Sequence, residues 1–193
     1  NIGEYGISAY STKEAINEKS GVISNKGNTG FYIHNSTGTN DGTISNSGNY
    51  GFTVDFHSKG INNGIISNKG KFGVSVYNST FINSAAGEIR NGSSYGLAIQ
   101  NGGHGENYGI IANKGNVGVS VSNSSSFVNH GTIEQEGKIA ILMGNGDNML
   151  ELGTASKING IVEGNRGTDT LILSETQSSG KPISNGVIDY TIK

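Results

Sequence analysis

The chain contains no cysteine and no tryptophan, one proline and two methionines in 193 residues. Without cysteine there is no disulfide framework and no thiolate zinc site. The same absence suits a chain that must stay unfolded while crossing a compartment where disulfides form. Hydrophobic residues make up 33% and aromatics 7%, which is thin for a thick globular core. No apolar run approaches the roughly 20 residues of a membrane-spanning helix. Neither sign of charge dominates: 13 basic against 15 acidic residues give a net charge of −2. With no basic run, the expectation is no nucleic-acid partner and no contact with an anionic membrane. The opening residues do not read as a secretory leader. It begins inside a repeat, which leads to the expectation of a piece of a longer protein.

Glycine is what the chain has in abundance, at 32 residues. It recurs at Gly21, Gly42, Gly64, Gly87, Gly109 and Gly131, in steps of 21, 22, 23, 22 and 22 residues. Two residues after each stands an isoleucine: Ile23, Ile44, Ile66, Ile89, Ile111 and Ile133. With the glycine as position zero, position four is Asn25, Asn46, Asn68, Asn91, Asn113 and Gln135. Position ten is Phe31, Phe52, Val74, Leu97, Val119 and Ile141, and position twelve is equally apolar. Position fourteen is Asn35, Phe56, Asn78, Asn101, Asn123 and Asn145.

Apolar residues at every second position argue strand, and Val and Ile suit a pleated surface. A sustained period of about 22 residues marks a solenoid whose units must stack to bury anything. Leucine-rich and ankyrin arrays need a leucine lattice or helices, and neither is present. The fold expected is therefore all-β, a parallel β-helix with one coil per repeat. Isoleucine sits on isoleucine inside, and the asparagines of positions four and fourteen stack at the bends, with glycines permitting positive φ. A third strand is weaker, signalled by Ile61, Phe81-Ile82, Phe127-Val128 and Leu150-Leu152. The chain reads as a single unit over 1–193, with regular coils over about 6–152 and modified coils over 153–193. Within the latter, 174–186 reads as a polar loop and Val187 to Ile192 as a further strand.

Repeats such as Gly42-Thr-Ile-Ser-Asn-Ser-Gly-Asn-Tyr-Gly51 resemble those of bacterial autotransporter passenger domains. The segments Gly146-Asp-Asn-Met-Leu-Glu-Leu152 and Gly167-Thr-Asp-Thr-Leu-Ile-Leu173 resemble a motif near the end of such passengers. The resemblance implies a right-handed parallel β-helix, exported to the cell surface through an outer-membrane barrel that is not in this sequence. It implies work as an adhesin or adhesin stalk. The partners implied are a host-cell surface protein or glycan, or copies on neighbouring cells. A purely structural spacer is one alternative. The other is a polysaccharide-degrading β-helix or phage tail-spike-like protein, disfavoured because no enzymatic insertion interrupts the repeats.

Candidate binding residues follow from the outward positions. Stacking places His34, Asp55 and Tyr77 in one column at position thirteen, with Tyr32 and His57 beside it. Aromatic, imidazole and carboxylate groups together suit sugar or protein recognition. Asp55 with His57 is the one acid–base pair open to a catalytic reading, and a paired-carboxylate site is not visible. Tyr50, Phe72 and Tyr95 at position eight read as core stacking near a corner. Asp147 and Asp169 read as turn residues, because a calcium nonapeptide needs tandem copies. His104 and His130 have no apparent companion ligands. No catalytic residue, cofactor or metal is expected. The sequons at Asn35, Asn78, Asn91 and Asn123 follow from the repeat.

Overall fold

The computed structural model describes residues 3–174. The expected loop at 174–186 and strand at 187–192 lie, but for residue 174, outside the described residues. Each coil contributes three short strands, and like strands of successive coils pair in parallel. The broad face is built of six-residue strands: Tyr5–Tyr10, Thr29–His34, Tyr50–Asp55, Phe72–Tyr77, Tyr95–Gln100 and Val117–Ser122. The isoleucine face comprises Val22–Asn25, Thr43–Asn46, Ile65–Asn68, Glu88–Asn91 and Ile110–Asn113. The third face is an eight-stranded parallel sheet, so the protein is a β-solenoid of about eight turns. Its strands are Ala15–Asn17, Thr37–Asn40, Lys59–Asn62, Thr80–Asn83, His104–Asn107, Ser126–Asn129, Met149–Leu152 and Thr170–Leu173.

Register is set by the repeat. Ile44 pairs with Ile66, Val54 with Val76, and Asn62 with Asn83. Ile44, Ile66, Ile89, Ile111 and Ile133 are each 0% exposed, forming the expected apolar column. The inner positions of the broad and third faces compensate one another in volume. Phe31 and Phe52, stacked at 4.7 Å, share their coils with Gly38 and Gly60. Val74 and Val119 share theirs with Phe81 and Phe127, and all four are fully buried. A core one side chain deep keeps its density only through such pairing. Because the inner position is glycine in several coils, the third face shows little alternation in sequence.

The repeat glycines do not adopt positive φ, contrary to expectation. They are required by close approach. A Cβ on Gly42 would stand 2.2 Å from the carbonyl oxygen of Gly21, and one on Gly51 would stand 2.5 Å from that of Gly73. Positive φ falls instead on position fourteen: Asn35 (47°), Phe56 (49°), Asn78 (45°), Asn101 (54°) and Asn123 (57°). Asparagine tolerates this left-handed conformation better than most residues. These asparagines therefore form the outer side of a turn rather than an interior stack, as the exposed Asn123–Asn101 amide bond of 2.7 Å illustrates. The position-four asparagines are buried and mainly cap a strand, as when Asn46 Nδ2 donates to Tyr50 O at 2.6 Å. Asn68 and Asn91 also donate onward to the next amide at 3.2 Å.

The continuous amide ladder lies at the end of the third face. Asn17 donates to Asn40 (2.7 Å), Asn40 to Asn62, Asn62 to Asn83, Asn83 to Asn107, and Asn107 to Asn129 (each 2.8 Å). Each Nδ2 also reaches the carbonyl of the repeat glycine in its own turn, for example Asn62 to Gly64 at 3.1 Å. A serine ladder marks the opposite corner. Ser36 N–H donates to Ser58 Oγ and Ser58 N–H to Ser79 Oγ, both at 3.1 Å.

The coils change after Asn129. Thr132–Met143 runs as one twelve-residue strand through the corner that separates the isoleucine and broad faces elsewhere. Its partner Lys157–Gly164 matches it only with register shifts. Leu152 pairs with Asn129 where the ladder would continue.

Candidate functional site

The broad face brings the expected column together. Tyr10, His34, Asp55, Tyr77 and Gln100 follow one another in register across five strands. Tyr32 OH donates to Asp55 Oδ2 at 3.0 Å, and His34 Nδ1 lies 3.5 Å from the same oxygen. The backbone carbonyls of His34 and Asp55 are each fastened by a serine hydroxyl. Ser36 Oγ donates to His34 O at 2.9 Å, and Ser58 Oγ to Asp55 O at 2.5 Å. Burial, then the bond to Asp55 and its charge, push the Tyr32 hydroxyl well above the usual phenol range. The neutral, donating form of Tyr32 is thus the one held in place. Burial does the same to Tyr5, raised to about 12.

Of the five proposed residues, His57 sits differently from expectation. His57 lies on the turn with φ of 56° and packs its ring on Phe56 at 4.8 Å. No hydrogen bond joins it to Asp55 among the described residues, so the acid–base pair considered from the sequence is not formed. Tyr77 is in register with Asp55 and 46% exposed, at the margin of the cluster.

Three aromatic residues join the patch that were not singled out from the sequence. Tyr10 lies 5.3 Å from the Tyr32 ring and 5.8 Å from the His34 ring. Tyr5 lies 5.1 Å from Tyr32. Phe56 stacks on His34 at 5.0 Å and 7°. The signals were present: Tyr10 falls on position thirteen of the lead-in coil, and Phe56 replaces asparagine at position fourteen. A bulky residue with positive φ is strained, by roughly 1–2 kcal/mol. Phe56 is nonetheless 48% exposed, so the core does not need its ring there.

A second polar cluster occupies the third face. His104 Nδ1 lies 2.7 Å from Ser126 Oγ, and its Nε2 lies 3.2 Å from Glu106 Oε1. Tyr108 OH donates to Glu106 Oε2 at 2.9 Å, and the Tyr108 ring stacks on His130 at 4.9 Å. Both histidines thus have a hydrogen-bond or ring partner. Desolvation would raise the Glu106 pKa, but the bonds from Tyr108 and His104 outweigh it and lower it. The serine–imidazole–carboxylate order is that of a nucleophile relay, yet the Ser126 N–H is donated to Gly103 O and so is not offered to an oxyanion.

Tyr50, Phe72 and Tyr95 do stack, at 5.1 Å between successive rings. Phe72 is buried and the two tyrosines are half-buried, so the column lines a corner rather than the interior. Asp147 Oδ1 accepts the Thr168 N–H at 2.8 Å, and Asp169 Oδ1 accepts the Asn148 N–H at 3.1 Å. Both carboxylates therefore act as turn residues. Among the described residues, no three His, Asp or Glu side chains converge as a metal site would require. Comparison of the chain with protein-family models, with curated proteins and with solved structures returns no match, so its placement rests on its own geometry: a parallel β-solenoid.

Proposed function

We propose that this chain is part of an autotransporter passenger, a right-handed β-helix displayed on a bacterial cell surface, and that it works as an adhesin or adhesin stalk. The parallel solenoid with coils of about 22 residues supports this reading, as does the repeat Gly-x-Ile-x-Asn-x-Gly-x-x-Gly. The observation that carries it is Phe56. An aromatic ring is held half-exposed on a left-handed turn where four other coils use asparagine and the first uses Ser11, and it stacks on His34 in a fixed aromatic patch. Strain kept at a surface position without benefit to the core points to a ligand.

The patch suits a flat, hydroxyl-rich or peptide surface rather than a buried small molecule. Tyr10, Phe56 and Tyr77 supply apolar faces, while Asp55 and His34 supply polar groups at fixed positions. Hydrolytic chemistry is disfavoured because Asp55 is engaged by Tyr32 and His57 does not reach it. A spacer reading would leave the patch without a role.

The test is binding of the chain to host cells and to an array of neutral glycans, beside a variant carrying Tyr10→Ser, Phe56→Asn and Tyr77→Ser. These side chains are exposed, so the fold should persist, as circular dichroism can verify. At least tenfold weaker binding by the variant is expected. Equal binding by the two proteins, or no binding by either, would reject the patch.

A further inference from the structure

A groove of about 890 Å³ runs along the outside of the isoleucine face and its corner with the broad face. It lies off the outward column of the aromatic patch and shares with it only the coil that carries Lys69 and Tyr77. Four consecutive coils each place one cation along it: Lys69, Arg90, Lys114 and Lys138. Their coils succeed one another at about 4.8 Å, so the four charges follow the solenoid axis over roughly 14 Å. Two carboxylates, Glu88 and Glu134, line the same groove and leave it two positive charges in excess, in a chain whose net charge is −2.

These cations are not all neutralised from within. Arg90 Nε is bonded to Glu88 at 2.5 Å, which leaves the outer edge of an exposed guanidinium facing solvent. Lys138 Nζ is pinned to the carbonyls of Lys114 and Gly115 at 3.0 and 2.9 Å. That fixes its position while keeping its charge. Lys69 and Lys114 are exposed, and no hydrogen bond from either ammonium is found among the described residues.

We propose that this groove binds an extended anionic polysaccharide, one bearing sulfate or carboxylate groups along a hydroxylated chain, laid parallel to the solenoid axis. A row of cations one coil apart matches a polymer with regularly spaced anions. Glu134 can accept from hydroxyl donors, which a sugar chain offers and a DNA backbone does not. Single-stranded nucleic acid is further disfavoured because such sites combine charge with aromatic stacking platforms, and the groove lining holds no aromatic ring. The site does not depend on the aromatic patch and can fail or stand without it.

The experiment measures affinity of the whole chain for three probes of equal length. They are a sulfated, uronic-acid-containing octasaccharide, the same octasaccharide desulfated and carboxyl-reduced, and single-stranded DNA. Two double variants are compared, Lys69→Gln with Lys114→Gln in the groove, and Lys13→Gln with Lys59→Gln outside it. The sulfated probe should bind, several-fold more weakly at 300 than at 50 mM salt. The groove variant should lose at least tenfold and the control less than twofold. Absence of binding, equal binding of the neutral probe, equal loss in both variants, or tighter binding of DNA would each overturn the proposal. Circular dichroism of all proteins separates lost binding from lost structure.

Discussion

Between Asn17 and Asn129 the coils are nearly interchangeable; beyond Asn129 they are not. In the first region the corners carry stacked asparagines and serines, interrupted in the serine column at Gly103, and the inner residues of successive strands are sealed at or near 0% exposure. In the second, Leu152 takes the place of the ladder asparagine, Ala140 replaces the position-nine glycine, and two strands merge into Thr132–Met143. Of Lys157–Gly164 only Val162 is buried, and Thr170–Leu173 is exposed throughout. Both regions carry isoleucines and leucines at strand spacing. The difference lies in the corners, so corner chemistry, more than strand hydrophobicity, holds the coil to its shape.

Position nine offers the severest way to break this contrast. Gly51→Val should cost more than about 3 kcal/mol, because its Cβ would meet Gly73 O at 2.5 Å and Ile66 Cγ2 at 2.8 Å. Ala140→Gly, at the equivalent position of the merged strand, should cost about 1 kcal/mol. Denaturant titration of the two variants measures both. Next comes Asn62→Leu, the exchange that the chain itself makes at Leu152. In mid-ladder it strands the Asn40 donor and the Asn83 acceptor, and a loss of about 3 kcal/mol is expected from the same titration.

The strand pairing was legible in the sequence because Ile23 to Ile133 keep constant distance from the repeat glycine. The decisive ladder was not. Asn40, Asn62, Asn107 and Asn129 stand two residues before the next glycine, but Asn17 and Asn83 stand four before it. The variable turn there moves the column out of phase with the period. Positions four and fourteen read as ladders because their asparagines keep phase, although at position fourteen the repetition reflects a left-handed turn. Of the candidate site, His34, Asp55 and Tyr77 followed from register alone. Phe56 was hidden because it reads as an exception to an asparagine column. The groove cations lie more than twenty residues apart and form no basic run; only stacking assembles them.

Smaller effects sharpen the comparison further. Phe56→Asn restores the residue that the neighbouring coils use, and should stabilise the fold by about 1 kcal/mol. It should raise Tm by roughly 2–4 °C while weakening binding at the patch. A thermal melt beside a binding measurement tests both signs. Smallest is the alkaline response. The folded-state pKa of Tyr32 is raised, so its contribution is complete below the ordinary phenol value near 10 and fades as pH rises through the folded value. Tyr32→Phe should therefore lose less Tm between pH 9 and pH 11.5 than the parent chain.

The stacking of like residues from coil to coil is tested most directly by a double-mutant cycle on the ladder. Asn62→Ala and Asn83→Ala remove neighbours joined by a 2.8 Å bond, whereas Asn62→Ala and Asn107→Ala remove residues separated by one coil. A coupling of about 1 kcal/mol or more is predicted for the first pair, and less than about 0.5 kcal/mol for the second. Additive losses in the adjacent pair would contradict the account.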